Sequence, residues 1–445
     1  MKILFISLGC DKNLVDSEVM LGLLTKNEYT LTDDEMQADV IVINTCCFIH
    51  DAKEESINTI LEMAQYKEQN LKALVVTGCL AERYKDEILK EIPEIDAVLG
   101  TTSYDSIVEA VNKALEGKVY EHYESVNYLP DNSSVERVVT TGNHMAYLKI
   151  AEGCDKRCSY CIIPKIRGNF RSVPMEELLA EAGRLAEKGV KELVLVAQET
   201  TLYGKDLTGK KELPKLLKEL CKIEGIQWIR LLYCYPEEIN DELIEVIKTE
   251  EKICHYIDMP IQHSENTILR RMGRRTSRED LVEVIGKLRK EIPDIAIRTT
   301  LITGFPGETE EDHQGLMDFV RQCRFERLGV FTYSPEENTL AAEFDDQIHE
   351  EVKEQRRDEI MTLQQEISFE HTQGLVGKVI RVMVEGYLFE DDIYVGRSYM
   401  DAPKVDGCVF INSPEELMTG DFVYVRITQG REYDVIGEVE YEFTK

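Results

Sequence analysis

The chain has 445 residues, 43% of them apolar, and a formal net charge of -32 at pH 7. Its length predicts several domains, and no stretch approaches the run of about 18 apolar residues that a membrane span needs, which excludes a membrane-spanning protein. The N-terminal apolar run is too short for a secretory signal, so we expect a cytoplasmic protein whose twelve cysteines serve metal or redox chemistry. The acidic surface repels phosphate backbones and favours a basic partner, although solubility alone also favours acidic residues.

The first section, residues 1–126, alternates continuous apolar runs with amphipathic stretches. The runs are KILFISLGC, ADVIVINTCCFI, LKALVVTGCL and IDAVLG. This pattern is typical of an open parallel α/β sheet covered by helices on both faces. Cys10, Cys46 and Cys79 each stand where a run ends, and the carboxyl ends of parallel strands meet at one edge. We therefore expect the three thiols to converge, although a buried cysteine is also a common small hydrophobic residue.

The polar residues 127–144 lack clear periodicity and predict a linker. Six apolar runs at strand–helix spacing follow in residues 145–345: AYLKIAEG, ELVLVAQE, WIRLLYCY, YIDMPIQH, AIRTTLITGF and RLGVFTYS. They predict a partial, open (βα)6 barrel, and in such barrels the carboxyl ends of the strands form the reaction face.

A loop directly after the first of these runs contains Cys154, Cys158 and Cys161 in C-x3-C-x2-C spacing. Each of the four irons in a cubane iron–sulfur cluster needs a ligand. Three thiolates therefore leave one iron open, and that iron can bind and reduce another molecule. The alternative is a zinc loop, which normally uses C-x2-C pairs and four protein ligands. The spacing favours the cluster.

The end of the chain changes character twice. Residues 346–373 are highly charged, with apolar positions at helical spacing, and predict a long connecting helix. Residues 374–445 contain short β patterns punctuated by glycine, which predict a small β-barrel. This tail has 14 acidic and 7 basic residues, a net charge of -7. A domain that binds RNA phosphates should be basic. The acidic tail therefore favours a basic protein partner over direct RNA binding.

The stretch from Ala151 to Ser172, AEGCDKRCSYCIIPKIRGNFRS, resembles the radical S-adenosylmethionine (SAM) superfamily. The resemblance implies a 4Fe-4S cluster on Cys154, Cys158 and Cys161 whose open iron chelates SAM. Reduction by the cluster would then split SAM to a 5'-deoxyadenosyl radical, the reagent needed to attack an unactivated C–H bond. Tyr160 stands where the superfamily contacts adenine.

The sequences around the first three cysteines, SLGCDKNLVDSE, INTCCFIHDAKEESI and VTGCLAERY, resemble the cysteine motifs of the methylthiotransferase N-terminal domain. This resemblance implies a second 4Fe-4S cluster on Cys10, Cys46 and Cys79, where the sulfur to be inserted is held or delivered. The second motif here is NTCC, whereas the family usually has glycine after that cysteine. Cys47 could therefore compete with Cys46 as a ligand, although the alignment favours Cys46.

The tail resembles the TRAM domain that ends these enzymes, so the resemblance covers essentially the whole chain. Several stretches look like the RimO type, the branch that acts on ribosomal protein: SLGCDKNLVDSE, VAQETTLYGKD, LLYCYPEEI, YIDMPIQH and VGRSYMDAPKVDG. The resemblance implies methylthiolation of an aspartate β-carbon in small-subunit ribosomal protein twelve, with SAM as methyl donor and radical source. A sulfur donor and a reducing electron donor protein are the further partners expected.

Two alternatives remain at this point. A tRNA methylthiotransferase would use the same chemistry on a modified adenosine, but that branch more often has a YGCQMN-like first motif where this chain has LGCDKN. A non-catalytic iron–sulfur carrier is hard to reconcile with a barrel and three-ligand loops. The acidic tail also speaks against the tRNA enzyme.

Four further residues are candidates for SAM contacts. Gln198 and Glu199 end the second barrel strand and could bind the amino group or the ribose of SAM. Thr303 and Gly304, at the turn GFPGET, fit the SAM-cradling loops of the superfamily. A Gly-Pro turn after a strand is also often only a turn.

Overall fold

The structure is a computed structural model that describes residues 1–440. Within that range, no helix combines the length and apolar character needed to cross a membrane. The elements fall into three successive groups, each built around its own sheet.

The N-terminal group is a parallel α/β sheet. Its elements are β1 (Lys2–Ser7), α1 (Asp11–Lys26), β2 (Thr30–Leu31), β3 (Val40–Thr45), α2 (His50–Ala64), β4 (Ala73–Gly78), α3 (Cys79–Arg83), α4 (Ile88–Glu91), β5 (Ala97–Leu99), α5 (Ile107–Leu115) and β6 (Tyr120–His122). The strand order is β2-β1-β3-β4-β5-β6, and every pair is parallel. Strands β3 and β4 are buried throughout because apolar clusters pack on both faces, which explains their continuous apolar sequence. The predicted sheet is confirmed. The structure adds two short edge strands, β2 and β6, that the sequence pattern did not predict.

The central group is a six-stranded open barrel. Its elements are β7 (Met145–Lys149), β8 (Ala151–Glu152), α6 (Ile163–Ile166), β9 (Arg171–Ser172), α7 (Met175–Glu187), β10 (Glu192–Val196), α8 (Lys205–Thr208), α9 (Leu213–Cys221), β11 (Trp228–Leu231), α10 (Asp241–Thr249), β12 (Ile253–Asp258), α11 (Asn266–Arg271), α12 (Arg278–Glu291), β13 (Ala296–Thr303), α13 (Glu310–Cys323) and β14 (Arg327–Thr332). The parallel order β7-β10-β11-β12-β13-β14 leaves β7 and β14 as unpaired edges of this sheet, so the predicted open barrel is confirmed. The short antiparallel pair β8–β9 brackets the cysteine loop and has no counterpart in the predicted pattern.

The C-terminal group begins with one long helix and ends in a small barrel. Its elements are α14 (Glu350–Gln373), β15 (Val379–Leu388), β16 (Ile393–Ser398), β17 (Val409–Asn412), β18 (Phe422–Gly430) and β19 (Val435–Val439). The five strands close in the order β15-β16-β17-β19-β18. Closure removes exposed sheet edges, and it confirms the predicted β-barrel.

A buried ion pair network joins this small barrel to the central one. Arg397 of β16 donates from Nη2 to Glu192 Oε2 at 2.5 Å, and Arg230 of β11 donates from Nε to Glu192 Oε1 at 2.8 Å. All three side chains are buried. Burial by itself would raise the pKa of Glu192, but the two guanidinium groups outweigh it and lower that pKa to about 2. The carboxylate is therefore an ionised bridge between the two barrels.

Replacing Glu192 by glutamine should destabilise the protein, because it leaves buried Arg230 without its carboxylate. We expect the free energy of unfolding to fall by about 3–5 kcal/mol. Trp228, the single tryptophan, packs edge-on against Phe422 of the small barrel with ring centroids 4.8 Å apart, so its fluorescence reports this junction during urea unfolding. Glu291→Gln, which removes the half-exposed pair with Lys248, is the control and should leave the unfolding midpoint unchanged.

The contribution of Glu192 to the free energy of unfolding should depend on pH. Because folding lowers the pKa of Glu192 from 4.5 to about 2, its stabilisation is complete above pH 4.5 and is lost as the pH falls towards 2. The difference in stability between the native chain and Glu192→Gln should narrow over that interval. A difference that stays constant would show that the carboxylate does not titrate as an ion pair.

Candidate active site

The first cysteine trio, Cys10, Cys46 and Cys79, lies at the carboxyl edge of the N-terminal sheet. Cys10 directly precedes α1, Cys46 directly follows β3, and Cys79 is the first residue of α3. Gly9 has a φ of +86°, and a Cβ placed there would come within 2.8 Å of Cys46 Sγ. A side chain at position 9 would therefore collide with Cys46, which together with the positive φ favours glycine.

Asn13 of α1 ties the three loops of this trio together. Its Nδ2 donates to the carbonyl of Leu8 at 3.0 Å and to that of Thr45 at 2.9 Å. Its Oδ1 accepts from Cys79 Sγ at 3.9 Å. One buried amide thus contacts the segments before Cys10 and Cys46 and the thiol of Cys79, so the structure brings these three predicted residues together.

Cys46 and its neighbour Cys47 have different surroundings. The backbone N–H and carbonyl of Cys46 bond to the Ser56 hydroxyl at 3.0 and 2.8 Å, and its side chain meets Gly9. Cys47 is fully buried in the apolar cluster beneath the sheet, and burial raises the pKa of its thiol to about 12. The contact with Gly9, which directly precedes Cys10, therefore favours Cys46 over Cys47 as the member of the trio.

The second cysteine trio, Cys154, Cys158 and Cys161, occupies the loop bracketed by β8 and β9. Gly153 has a φ of +78°, and a Cβ there would lie 2.1 Å from the Asn169 carbonyl, so the two ends of the loop touch. Ser159 fastens the middle of the loop to the barrel: its N–H donates to the Met272 carbonyl at 2.9 Å, and its hydroxyl donates to the Arg271 carbonyl at 2.8 Å. The structure brings these three predicted residues together as well.

The donor chemistry of both trios fits iron–sulfur clusters. Each trio presents thiols, the ligands that such clusters use. No three cysteine, histidine or acidic side chains among residues 1–440 stand at the spacing that holds a single metal ion. Burial raises the pKa of Cys154 to about 12, so a bound metal would be needed to keep its thiolate.

A cluster of aromatic and cationic side chains lies beside the second trio. The ring of Tyr160 meets that of Phe305 edge-on with centroids 6.3 Å apart. Arg274 places its guanidinium carbon 4.4 Å from the centre of the Tyr235 ring. Two buried donors of Arg274, Nε and Nη1, have no hydrogen-bond partner within residues 1–440, so they are available to a ligand.

Gln198 and Glu199 follow β10 on the same face of the barrel. Gln198 donates to Glu152 at 2.6 Å, and its buried Oε1 has no partner in the part of the chain that the structure describes. Glu199 accepts from Thr201 at 2.8 Å and lies 3.4 Å from the ammonium group of Lys156. Burial raises the pKa of Glu199 to about 7, although Lys156 opposes that shift.

Lys156 was not predicted from the sequence, although it stands inside the cysteine loop. Its ammonium group also pairs with Glu237 at 3.1 Å and with Glu238 at 2.6 Å. Three carboxylates therefore surround one lysine beside the second trio, and they would accommodate a further cationic group.

Thr303 and Gly304 lie at the carboxyl end of β13 and pack against α14. The Thr303 hydroxyl donates to the Lys353 carbonyl at 3.1 Å, and the Gly304 N–H donates to Glu308 at 2.8 Å. The next residue, Phe305, is the one that meets Tyr160. The contacts of Thr303 and Gly304 are thus structural, and their role towards SAM stays a prediction.

The structure adds a buried polar network between the two trios that sequence reasoning missed. Arg167, at the end of the second trio's loop, donates from Nη1 to Asp16 at 2.8 Å and to Glu152 at 3.0 Å. Lys149 bonds to the same two carboxylates, with 3.0 Å to Glu152. Nothing in the local pattern indicates that these four charges meet, because Asp16 belongs to a different domain.

Comparisons with known proteins cover all three groups of elements. Family models match residues 2–100 (uncharacterized protein family UPF0004), 148–320 (radical SAM superfamily) and 376–439 (TRAM domain). A protein of Lachnoclostridium phytofermentans named ribosomal protein uS12 methylthiotransferase RimO is 64% identical over 441 residues, which are 99% of this chain and 100% of that one. The chain belongs to the RimO family. A Thermoanaerobacter protein of the same name is 52% identical over 433 residues, 97% of this chain and 98% of that one.

Solved structures agree on the fold. The radical SAM methyltransferase TsrM from Kitasatospora setae, solved with cobalamin and a 4Fe-4S cluster, has a TM-score of 0.58 at 14% identity and covers 76% of this chain and 73% of its own. This likeness concerns the fold alone. Membership of the RimO family and of the radical SAM superfamily confirms the predicted enzyme class and implies a 4Fe-4S cluster and SAM as cofactors.

The different surroundings of Cys46 and Cys47 can be tested on this RimO family member. Cys46→Ser should lower the iron content of the reconstituted protein, because it removes one of the three thiols of the first trio. Cys47→Ser, the matched neighbour, should retain the iron and lose only core packing. Iron and sulfide analysis of both purified variants checks this, and the reverse result would make Cys47 the ligand.

Proposed function

We propose that this chain transfers a methylthio group to the β-carbon of an aspartate in small-subunit ribosomal protein uS12, with SAM as methyl donor and radical source. The observation that carries the proposal is that Arg167, which follows the second trio in the chain, bonds to Asp16 of the N-terminal domain and lies 3.5 Å from Cys79 of the first trio. The names of relatives that match nearly the full length support the same substrate. Acting on a ribosomal protein, the enzyme would work in the cytoplasm.

Each trio has a separate task in this proposal. When bound, a 4Fe-4S cluster on Cys154, Cys158 and Cys161 would supply the electron that cleaves SAM, and a second cluster on Cys10, Cys46 and Cys79 would supply the methylthio sulfur. A reducing electron donor protein and a sulfur donor complete the set of partners. The chain's own residues provide the binding surfaces and the charges.

The side chains around the second trio would orient SAM. Tyr160 offers an aromatic face for adenine, as in the superfamily, and the unpartnered donors of Arg274 would bind a ligand oxygen. Glu199, held beside Lys156, would accept a hydrogen bond from the amino group or the ribose. The buried Gln198 Oε1 would accept another. These roles follow from position and donor or acceptor character.

The small barrel would attract the basic substrate. Its β15–β16 hairpin exposes Phe389, 87% accessible, next to the acidic residues Glu390, Asp391 and Asp392. An apolar side chain surrounded by negative charge complements a basic protein surface. The same charges oppose contact with tRNA phosphates, and the names of the relatives likewise favour the protein substrate over a modified adenosine.

Mass spectrometry of cells with and without this chain tests the substrate. Ribosomal protein uS12 should lose the methylthio mass when the chain is absent, while the methylthiolated nucleosides of total tRNA should be unchanged. Restoring the chain should restore the mass on uS12. A methylthio mass that disappears only from tRNA would refute the proposed substrate.

A Cys154→Ala variant tests the division of labour. It should retain iron at the first trio but lose reductive SAM cleavage, because the cluster that delivers the electron is missing. Measuring 5'-deoxyadenosine formed after chemical reduction, together with the iron content, separates the two effects. Cys221→Ala, a cysteine outside both trios, is the control and should cleave SAM normally; cleavage that persists in Cys154→Ala would remove the role of that loop.

A further inference from the structure

Arg167 is carried by the barrel but contacts the thiol site of the N-terminal domain. Its Nη2 lies 3.5 Å from Cys79 Sγ and also donates to Asn13 Oδ1. The side chain is only 2% exposed. The surroundings of the first cysteine trio therefore include a guanidinium group that comes from the barrel.

The guanidinium group has no freedom to move away from the thiol. Nη1 is held by Asp16 at 2.8 Å and by Glu152 at 3.0 Å. Because the guanidinium fork is planar, bonds on Nη1 determine the direction in which Nη2 points. Asp16 belongs to α1, the helix that begins beside Cys10, so both domains orient the group.

Hydrogen bonds to the ligand sulfurs are one of the factors that set the reduction potential of an iron–sulfur cluster. A donor aimed at a thiolate stabilises the more negative, reduced state, so it raises the potential.

We propose that Arg167 is the positioning residue of the first cysteine trio: through Nη2 it holds the Cys79 thiolate in place and raises the reduction potential of the cluster bound there. This inference rests on the second cluster in the function proposed above. It assigns to the radical-generating domain a direct part in building the sulfur-supplying site.

The test isolates the first trio in the full-length chain. The parent carries Cys154→Ala, Cys158→Ala and Cys161→Ala and is reconstituted anaerobically with iron and sulfide. Arg167→Gln in that parent should release iron to a chelator about tenfold faster, and its midpoint potential, from a redox titration followed by electron paramagnetic resonance, should become more negative. Arg167→Lys keeps the charge, so its potential should lie between those of the parent and the glutamine variant.

Arg137 provides a matched control. It is also buried between the two domains, with ion pairs to Glu18 at 3.1 Å and to Glu181 at 2.8 Å, and it has no hydrogen bond to a thiol within residues 1–440. Arg137→Gln should leave iron release and potential unchanged, which separates the loss of a domain contact from the loss of the bond to Cys79.

Unchanged iron release and potential in Arg167→Gln would overturn the inference and leave the proposed function standing. If that variant fails to fold by circular dichroism, Arg167→Lys decides: one ammonium group cannot bond to Asn13, Cys79, Asp16 and Glu152 together, so a lysine variant identical to the parent would also overturn it. A parent that binds no cluster would instead refute the second cluster and the proposed function with it.

Discussion

The buried charges between the N-terminal sheet and the barrel are the constraint on which the active site depends. Two cations, Arg167 and Lys149, meet two carboxylates, Asp16 and Glu152, with nearly all solvent excluded. A buried charge without its partner is strongly destabilising, so neither domain can slide without leaving such a charge. The loop that contains the second trio is therefore held against α1, the helix that begins beside Cys10.

Strand β10 connects this junction to the rest of the molecule. Its first residue, Glu192, is the bridge to the small barrel. Gln198 and Glu199 lie shortly after its last residue, and Glu199 is close to Cys154 of the second trio. The amino end of the strand thus contributes to stability, while the carboxyl end lies at the face that βα barrels use for their reactions. Because each end is held by buried charges, the small barrel that is proposed to receive the substrate has a defined position relative to the reaction face.

Much of the fold could be predicted from the sequence because the strands are buried on both faces. Strands such as β3 and β4 must then be apolar throughout, and they stand out from the amphipathic helices around them. The short strands β2 and β6 lie at an exposed edge, where burial imposes no such pattern. The candidate cysteines could be found for a different reason: their spacing and neighbouring residues match a family.

The contacts around those cysteines could not be predicted in the same way. Thr303 has its hydroxyl bonded to the backbone of α14, a partner 50 residues away. Lys156 and Arg167 stand in or beside the cysteine loop, where a lysine or arginine is usually solvated. The sequence does not show which carboxylates will pair with them. Such contacts depend on how separate elements pack.

The sequence by itself determined the class of chemistry, the six cysteines that are candidates for it, and the three types of sheet, because these depend on residue type, spacing and local periodicity. Only the tertiary structure showed that Cys47 is buried in an apolar cluster while Cys46 contacts Gly9, and that a guanidinium group from the barrel points at Cys79. The physical reason is that these features are bonds between residues that are distant in the chain. Their geometry exists only after two domains have buried opposite charges against each other.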